Sequence, residues 1–328
     1  MNRAACAVAL FVGASGCVLM AGPHARTAPA LERGTPPTDR FLELGGAWVR
    51  VRDSGVDTGR TPLVLVHGYA SRLESWAAVQ PALAENRRVV SLDQRGFGMS
   101  ERPRGAYGPA AHARDVRALA DKLGLVKPVL VGHSYGGGVV LRAALDDPER
   151  WGGLILVDAF AMDEQLPSAF RWAKVPVLGE FVFSTQFKEV IGEKYILAFH
   201  DRGRFANADA IDEFRGNTLR PGSLYALLNV VRGMDYGPDQ VRYRELGLPS
   251  VIIWGEDDRV TPLAAGKQLA ALVDGARFEV LPACGHVPLW ERPQAVIRIV
   301  EELLGKIDRS RAARERRTTT PAAGSATP

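Results

Sequence analysis

The stretch that decides the fold is VGHSYGGGVV (131–140), in which a serine lies among glycines with an apolar run on either side. PVLVGHS (128–134) is short, apolar and rich in valine, which is typical of a buried strand, and YGGGVVLRAAL (135–145) predicts a helix directly after it. GHSYG (132–136) therefore places Gly-x-Ser-x-Gly at a strand-to-helix turn, where the serine is held on a strained backbone. We expect Ser134 to be presented for chemistry, as a nucleophile, rather than to fill an ordinary turn.

Further apolar strands alternate with helices along the chain. The predicted strands are AWVRVR (47–52, half-exposed because it alternates), PLVLVHGY (62–69), RRVVSLDQRG (87–96), GGLILVDA (152–159), LPSVIIWGEDD (248–258) and RFEVLPACGH (277–286). The predicted helices are 107–125, a helix from about Pro262, and 293–307. Strands that are apolar throughout and alternate with helices predict an α/β fold, with a mostly parallel central sheet and helices on both faces.

The segment 160–245 breaks this alternation and is predicted to be an inserted helical cap. It contains 13 of the 25 aromatic residues of the chain. Aromatic residues at helical spacing are more often packing than ligand contacts, so most of them are expected to form the core of the cap and a few to line a pocket. The core of the fold is then divided into an N-terminal part, 41–159, and a C-terminal part, 246–307.

The N-terminus has the features of an export signal, predicted over 1–21. A short basic start precedes the apolar AACAVALFVGA (4–14), and ASGC (14–17) is similar to a bacterial lipobox, which would make Cys17 the lipidated residue. A plain signal cleaved near Ala21 and an uncleaved apolar anchor are the alternatives. Residues 22–40 are rich in Pro, Ala and Thr and predict a tether. These features predict an exported protein of the bacterial cell envelope, with membrane contact only through this N-terminus.

Charge and cysteine content exclude several other classes of protein. The net charge is only +4, and the tail 308–328 holds five arginines against one aspartate and one glutamate. That tail predicts a disordered, basic end, and no basic stripe indicates nucleic-acid binding. The three cysteines form no CxxC or Cys/His spacing, so we expect no zinc site. No metal or organic cofactor is expected, because the serine chemistry described below requires none. The oligomeric state is not predicted.

A serine hydroxyl needs a base to become a nucleophile, and the base needs a carboxylate to orient it. His286, in the loop between the last strand and the last helix, is the candidate base. Asp258 is the preferred acid, with its neighbour Asp257 and the strand-end Asp158 as rivals. Ser134, Asp258 and His286 each follow a predicted strand, and ligands of such sheets bind beyond the carboxyl ends of the strands.

Residues 41–305 resemble the α/β-hydrolase superfamily with an inserted cap. The matching motifs, in order, are HGY (67–69), DQRGFGMS (93–100), GHSYG (132–136), WGEDDRVTP (254–262) and CGHVPLWERP (284–293). The resemblance implies that the backbone N–H groups of Tyr69 and Tyr135 form an oxyanion hole. It also implies that His67 is a structural member of its loop.

The resemblance implies a carboxylesterase-like serine hydrolase acting on apolar small-to-medium esters through an acyl-serine. Capped relatives that open epoxides or remove halides carry aspartate where this chain has Ser134. Relatives that cleave carbon–carbon bonds share the CGH segment but usually carry tryptophan after the histidine, where this chain has Val287. A carbon–carbon or amide hydrolase, and an envelope ligand-binding protein with slow turnover, remain the alternatives.

Overall fold

The computed structural model describes residues 30–32, 34–185, 192 and 195–319. The predicted export signal with Cys17, and the first part of the predicted tether, lie outside the described residues. The strands are β1 Asp39–Leu44, β2 Ala47–Ser54, β3 Leu63–Val66, β4 Val89–Leu92, β5 Val129–His133, β6 Gly153–Val157, β7 Ser250–Gly255 and β8 Arg277–Leu281. The helices are α1 Gln80–Leu83, α2 Pro109–Lys122, α3 Tyr135–Asp146, α4 Ser168–Ala173, α5 Leu178–Thr185, α6 Arg202–Phe205, α7 Ala208–Thr218, α8 Ser223–Arg232, α9 Gly237–Gln240, α10 Leu263–Leu272, α11 Pro288–Glu291 and α12 Pro293–Thr319.

The strands of the described chain form one eight-stranded sheet in the order β1-β2-β4-β3-β5-β6-β7-β8. β1 and β2 are antiparallel to their neighbours, and β3 to β8 pair in parallel. Alternate residues of β5 enter two cores: Leu130 packs with α2 and α3, whereas Val129 and Val131 pack with α12 on the other face. Both faces are therefore buried, as the uniformly apolar strands predicted. The predicted α/β class is confirmed.

The structure corrects the predictions at both ends of the fold. β1 begins at Asp39, so the folded part starts two residues inside the predicted tether. At the other end α12 continues to Thr319, and the disorder predicted from residue 308 is wrong for 308–319. The Asp308 carboxylate accepts hydrogen bonds from the N–H and the hydroxyl of Thr61, which ties this helix to the core.

β2 is also more buried than its alternating sequence predicted. Arg50 is only 3% exposed, because its guanidinium pairs with Asp39, Glu74 and, at 3.5 Å, with Asp93. An arginine can be buried when carboxylates surround it, and the alternation of apolar and charged residues does not reveal such a partner set.

The chain between β6 and β7 contains α4 to α9, where the cap was predicted. α4, α5 and α8 pack against one another, and the buried face of α8 carries Leu224, Leu227 and Val231. No helix in the described part of the chain is long and apolar enough to cross a membrane.

Candidate active site

Ser134 lies on a strained turn between β5 and α3. Its backbone has φ 52° and ψ −122°, a conformation that non-glycine residues rarely adopt. The flanking glycines allow the chain to double back here, since a Cβ atom on Gly136 would lie 2.2 Å from the carbonyl oxygen of Val66. The turn is held by the Ser134 N–H, which donates to Val157, and by the Ser134 carbonyl, which accepts from Phe160. The local sequence thus explains why the hydroxyl is presented at the end of the sheet.

The structure brings Ser134, His286 and Asp258 together in one chain of hydrogen bonds. The Oγ of Ser134 lies 2.9 Å from Nε2 of His286. The other ring nitrogen, Nδ1, lies 2.7 Å from Oδ2 of Asp258. All three residues are buried. With the Nδ1 proton on the side of the carboxylate, Nε2 is free to accept the serine proton, which is the geometry of an activated nucleophile.

The turn after β7 fixes the Asp258 carboxylate from both sides. Its Oδ1 accepts the backbone N–H groups of Val260 and Thr261 at 2.7 and 2.9 Å, and its Oδ2 accepts the Thr261 hydroxyl at 2.6 Å. Burial acts to raise the pKa of Asp258, but the positive charge of His286 and these hydrogen bonds outweigh it, so the pKa is lowered. Asp258 is therefore held ionised behind the imidazole.

The two rival carboxylates have other partners. Asp257 is exposed and lies 2.7 Å from Nδ1 of His200. Asp158 is fully buried near Asp258, and its Oδ1 accepts the N–H of Gly255 at 2.8 Å. Burial and the neighbouring charge of Asp258 raise the pKa of Asp158 well above its usual range. Of the three candidates, Asp258 is thus the ionised carboxylate at the histidine.

Asp158, Asp258 and His286 also form the single His/Cys/Asp/Glu group with metal-ligand spacing within the described residues. The Nδ1 of His286 and both carboxylate oxygens of Asp258 already take part in the hydrogen bonds above. A metal there would have to displace the bond between His286 and Asp258. The donor set suits proton transfer better than metal binding.

The loop after β3 lies directly beside Ser134. A Cβ atom on Gly68 would lie 3.1 Å from the Cβ of Ser134, so a larger residue would press on the nucleophile. Tyr69 follows Gly68, and Tyr135 is the first residue of α3, where N–H groups have no acceptor within the helix. His67 is buried, and its Nε2 accepts the N–H of Gln94 at 3.0 Å. This partner agrees with the structural role expected for His67.

His112 is buried and forms a hydrogen bond with the side chain of Tyr135. The sequence analysis did not assign a role to this histidine. Nδ1 of His112 lies 2.7 Å from the Tyr135 hydroxyl, and its Nε2 lies 3.2 Å from the carbonyl of Arg95. Burial lowers the pKa of His112 to about 3, so the ring is neutral: Nε2–H donates to the carbonyl and Nδ1 accepts from the tyrosine. The helical spacing around His112 predicted only a buried face and gave no sign of this partner.

A cavity of about 370 Å³ opens above Ser134 and His286. Its walls are mainly apolar, and aromatic side chains reach it from both the insertion and the core, among them Phe160, Phe170, Phe183, Tyr195, Phe199 and Trp290. Arg72, Glu74 and Arg259 are its charged lining residues in the described chain. A concave, mainly apolar site with a few polar groups is typical of small-molecule binding. Of the aromatic residues in the predicted cap, several therefore line a pocket, as expected.

The insertion is also bonded directly to the histidine loop. The N–H of His286 donates to the carbonyl of Ala198 at 2.6 Å. Glu291, which is buried, accepts the N–H of Gly285 at 2.7 Å and that of Asp201 at 2.9 Å. Sequence reasoning missed Glu291, because a glutamate on a short helix gives no indication of two distant backbone donors.

Comparisons with known proteins agree with this fold. A family model described as alpha/beta hydrolase fold matches residues 61–293. A 2-hydroxy-6-oxo-2,4-heptadienoate hydrolase of Pseudomonas putida is 28% identical over 82% of this chain and 97% of its own length.

Two solved structures are also similar. A thermophilic esterase from Thermogutta terrifontis is 26% identical with a TM-score of 0.69, over 82% of this chain and 99% of its own. A hydrolase from Pseudomonas aeruginosa is 28% identical with a TM-score of 0.70, over 84% of this chain and 100% of its own. The family match covers more than half of the sequence and includes β3 to β8 and the Ser134 turn described above. The chain belongs to the alpha/beta hydrolase fold family.

Proposed function

We propose that the chain is a serine hydrolase that cleaves carboxylic esters of apolar, small-to-medium substrates through an acyl-serine intermediate. The observation that carries the proposal is the hydrogen-bonded series Ser134 Oγ, His286 Nε2 and Nδ1, and Asp258 Oδ2. The mainly apolar cavity directly above Ser134 supports the apolar substrate class. The reaction proposed needs neither a metal nor an organic cofactor.

In the first half of the reaction, Ser134 Oγ attacks the ester carbonyl while His286 Nε2 takes its proton. Asp258 stabilises the imidazolium that forms and keeps the ring in the required tautomer. The developing oxyanion is bound by the backbone N–H groups of Tyr69 and Tyr135, which contribute about 3 kcal/mol each in related chemistry. His286 then gives the proton to the leaving alcohol, and the acyl group stays on Ser134.

In the second half, water replaces the alcohol. His286 takes a proton from the water, the resulting hydroxide attacks the acyl carbonyl, and the proton is returned to Ser134 as the acid leaves. The bond between Ala198 and the His286 backbone keeps the ring placed through both halves. Because deacylation uses the same groups as acylation, any substitution at His286 should slow both steps.

Carbon–carbon bond hydrolysis is the second candidate function. It is favoured by the named Pseudomonas putida relative, which hydrolyses a 2-hydroxy-6-oxo-dienoate. Val287 counts against it, because the corresponding position in such relatives usually carries tryptophan. Amide hydrolysis, and slow turnover in an envelope binding protein, are the remaining alternatives. Export through the N-terminal signal, with Cys17 as the lipidation site, also remains a proposal.

The test is hydrolysis of p-nitrophenyl acetate, butyrate, octanoate and laurate by the full chain, with Ser134→Ala as the matched control. We expect activity on the series that the control lacks, with a preference set by the size of the cavity. A 2-hydroxy-6-oxo-dienoate is assayed alongside. Turnover of the dienoate with no ester activity above the control would move the assignment to the second candidate. Equal activity on charged, water-soluble esters would contradict the apolar substrate class.

A further inference from the structure

Exposed apolar side chains are concentrated at the junction of α4 and α5. Of twelve exposed large apolar residues in the described chain, five lie within residues 172–181. They are Trp172, Val175, Val177, Leu178 and Phe181, here called the α4–α5 patch, with Trp172 59% and Val177 81% exposed. Exposed apolar residues are normal when scattered singly, but a cluster of this kind marks an interaction surface.

The packing of α4 and α5 keeps the side chains of the patch exposed to solvent. The opposite sides of the two helices pack inward through Ala173 and Phe183, and both helices pack on α8. Val177 has φ 68°, in the left-handed region, which is a strained conformation for a β-branched residue. Such strain persists where the surrounding structure imposes it and is concentrated at functional segments. The most exposed valine of the patch is therefore held at the tip of the junction rather than folded back onto the core.

The charges around the patch are predominantly positive. Arg171 is exposed and has no ion-pair partner among the described residues, and Lys174 donates to the carbonyl of Met234. The nearby acidic residue, Glu180, is bound by Arg232 through two hydrogen bonds of 2.8 Å. The unneutralised charge at the patch is thus basic, which suits anionic lipid headgroups.

The start of the described chain lies on the same insertion. Glu32 pairs with Arg220, which lies between α7 and α8. The fifteen residues from Cys17 to Glu32 span at most about 50 Å when extended. An N-terminus anchored at Cys17, as the sequence predicts, would therefore keep the insertion within about 50 Å of the membrane.

We propose that the α4–α5 patch docks onto an anionic lipid surface. Trp172, Val177 and Phe181 enter the interfacial layer, where aromatic and apolar side chains are favoured, and Arg171 faces the phosphates. The exposed residues Pro167 and Ala169, next to the patch, also line the cavity above Ser134, so docking places an edge of the cavity beside the bilayer. The proposal stands whether or not the substrate is an ester.

The test is a fluorescent label on a single patch residue of the full chain. Cys6 and Cys17 are replaced by serine, which leaves the buried Cys284, and an NBD fluorophore is attached to Val177→Cys. The matched control carries the label at Val241→Cys, since Val241 is 78% exposed and lies outside the patch. Both proteins are bound to vesicles of equimolar phosphatidylcholine and phosphatidylglycerol, with and without brominated acyl chains.

We expect a blue shift and quenching by brominated lipid for the label at Val177, and neither for the label at Val241. Arg171→Glu is expected to weaken vesicle binding about tenfold through the lost headgroup attraction, whereas Arg244→Glu, at an exposed arginine outside the patch, leaves it unchanged. Vesicle-bound protein with both labels in water would overturn the proposal. A blue shift in buffer that grows with protein concentration would overturn it in favour of a second copy of the chain. Neither readout depends on esterase activity.

Discussion

Replacing Asp258 with asparagine changes one atom of the carboxylate and reverses its hydrogen bond to His286. In the structure Oδ1 accepts two backbone N–H groups, from Val260 and Thr261. An asparagine is therefore expected to keep its carbonyl oxygen there and to place its NH₂ group at the position of Oδ2, which is 2.7 Å from Nδ1 of His286. That NH₂ group donates to Nδ1 and drives the ring proton to Nε2.

The cost of this change follows from the geometry. With its proton on Nε2, His286 cannot accept the hydroxyl proton of Ser134, 2.9 Å away, and the negative charge that stabilised the imidazolium is gone. A tautomer reversal of this type lowers kcat by about 10⁴-fold, or about 5.4 kcal/mol in the activation free energy. Little change in the folded structure is expected, because the two side chains have nearly the same shape.

The assay is the kcat for p-nitrophenyl butyrate at pH 8, together with the rate of labelling by a fluorophosphonate. Asp257→Asn is the matched control, since that carboxylate pairs with His200 on the surface, and we expect it to keep its kcat within about twofold of the parent. If Asp258→Asn stays within tenfold of the parent protein, Asp258 does not orient the base. Equal losses in both variants would show that the segment as a whole, rather than one carboxylate, had been disturbed.

Three further predictions concern residues that surround the site. The pKa of Asp158 is raised in the folded state by burial and by the nearby negative charge of Asp258. The folded protein therefore keeps a proton on Asp158 that the unfolded chain releases. As a result, the free energy of unfolding falls as pH rises above the unfolded pKa of about 4. Asp158→Asn should remove this pH dependence. In guanidinium unfolding at pH 5 and pH 8, the stability of the variant relative to the parent should be greater at pH 8. The same stability difference at both pH values would contradict the prediction. Glu291→Leu leaves the buried N–H of Gly285 and the partly buried N–H of Asp201 without acceptors, so it should lower the free energy of unfolding by about 1–3 kcal/mol and also reduce kcat. Glu256→Gln, at an exposed carboxylate, should change neither. Unchanged kcat in a folded Glu291→Leu protein would show that its loop does not place the histidine. Gly136→Ala would bring a methyl group to 2.2 Å from a backbone carbonyl and should abolish soluble expression or ester hydrolysis, and a folded, fully active variant would refute the account of the turn.

Local sequence was sufficient to predict the Ser134 turn, because one short segment determines both its backbone structure and its proposed role. The pattern around Ser134 combines a buried strand, close-approach glycines and a helix, and each feature constrains the same turn. The order of Ser134, Asp258 and His286, each after an apolar strand, was also readable, because parallel strands bring their carboxyl ends to one edge. The structure places these three side chains in hydrogen-bond contact, as the sequence pattern predicted; their roles remain part of the proposal.

The sequence did not predict contacts between residues that are far apart in the chain. Arg50 was assigned to a half-exposed strand, because its burial depends on carboxylates of other segments, Asp39, Glu74 and Asp93. β1 was not predicted because its charged residues obscure the alternation of apolar and polar residues that is typical of a strand. It is an edge strand that is stabilised by pairing with β2. The helical residues beyond Asp308 were predicted as tail because their composition is basic, whereas the bond to Thr61 depends on the fold.

The central claim is that Ser134 is a nucleophile activated by His286. The most direct measurement is mass spectrometry of the full chain after acid quenching during hydrolysis of p-nitrophenyl butyrate, followed by peptide mapping. The account predicts a butyryl group on the peptide that contains Ser134, and its absence from both Ser134→Ala and His286→Ala. An acyl group on another residue, or adduct formation at an unchanged rate in His286→Ala, would contradict it.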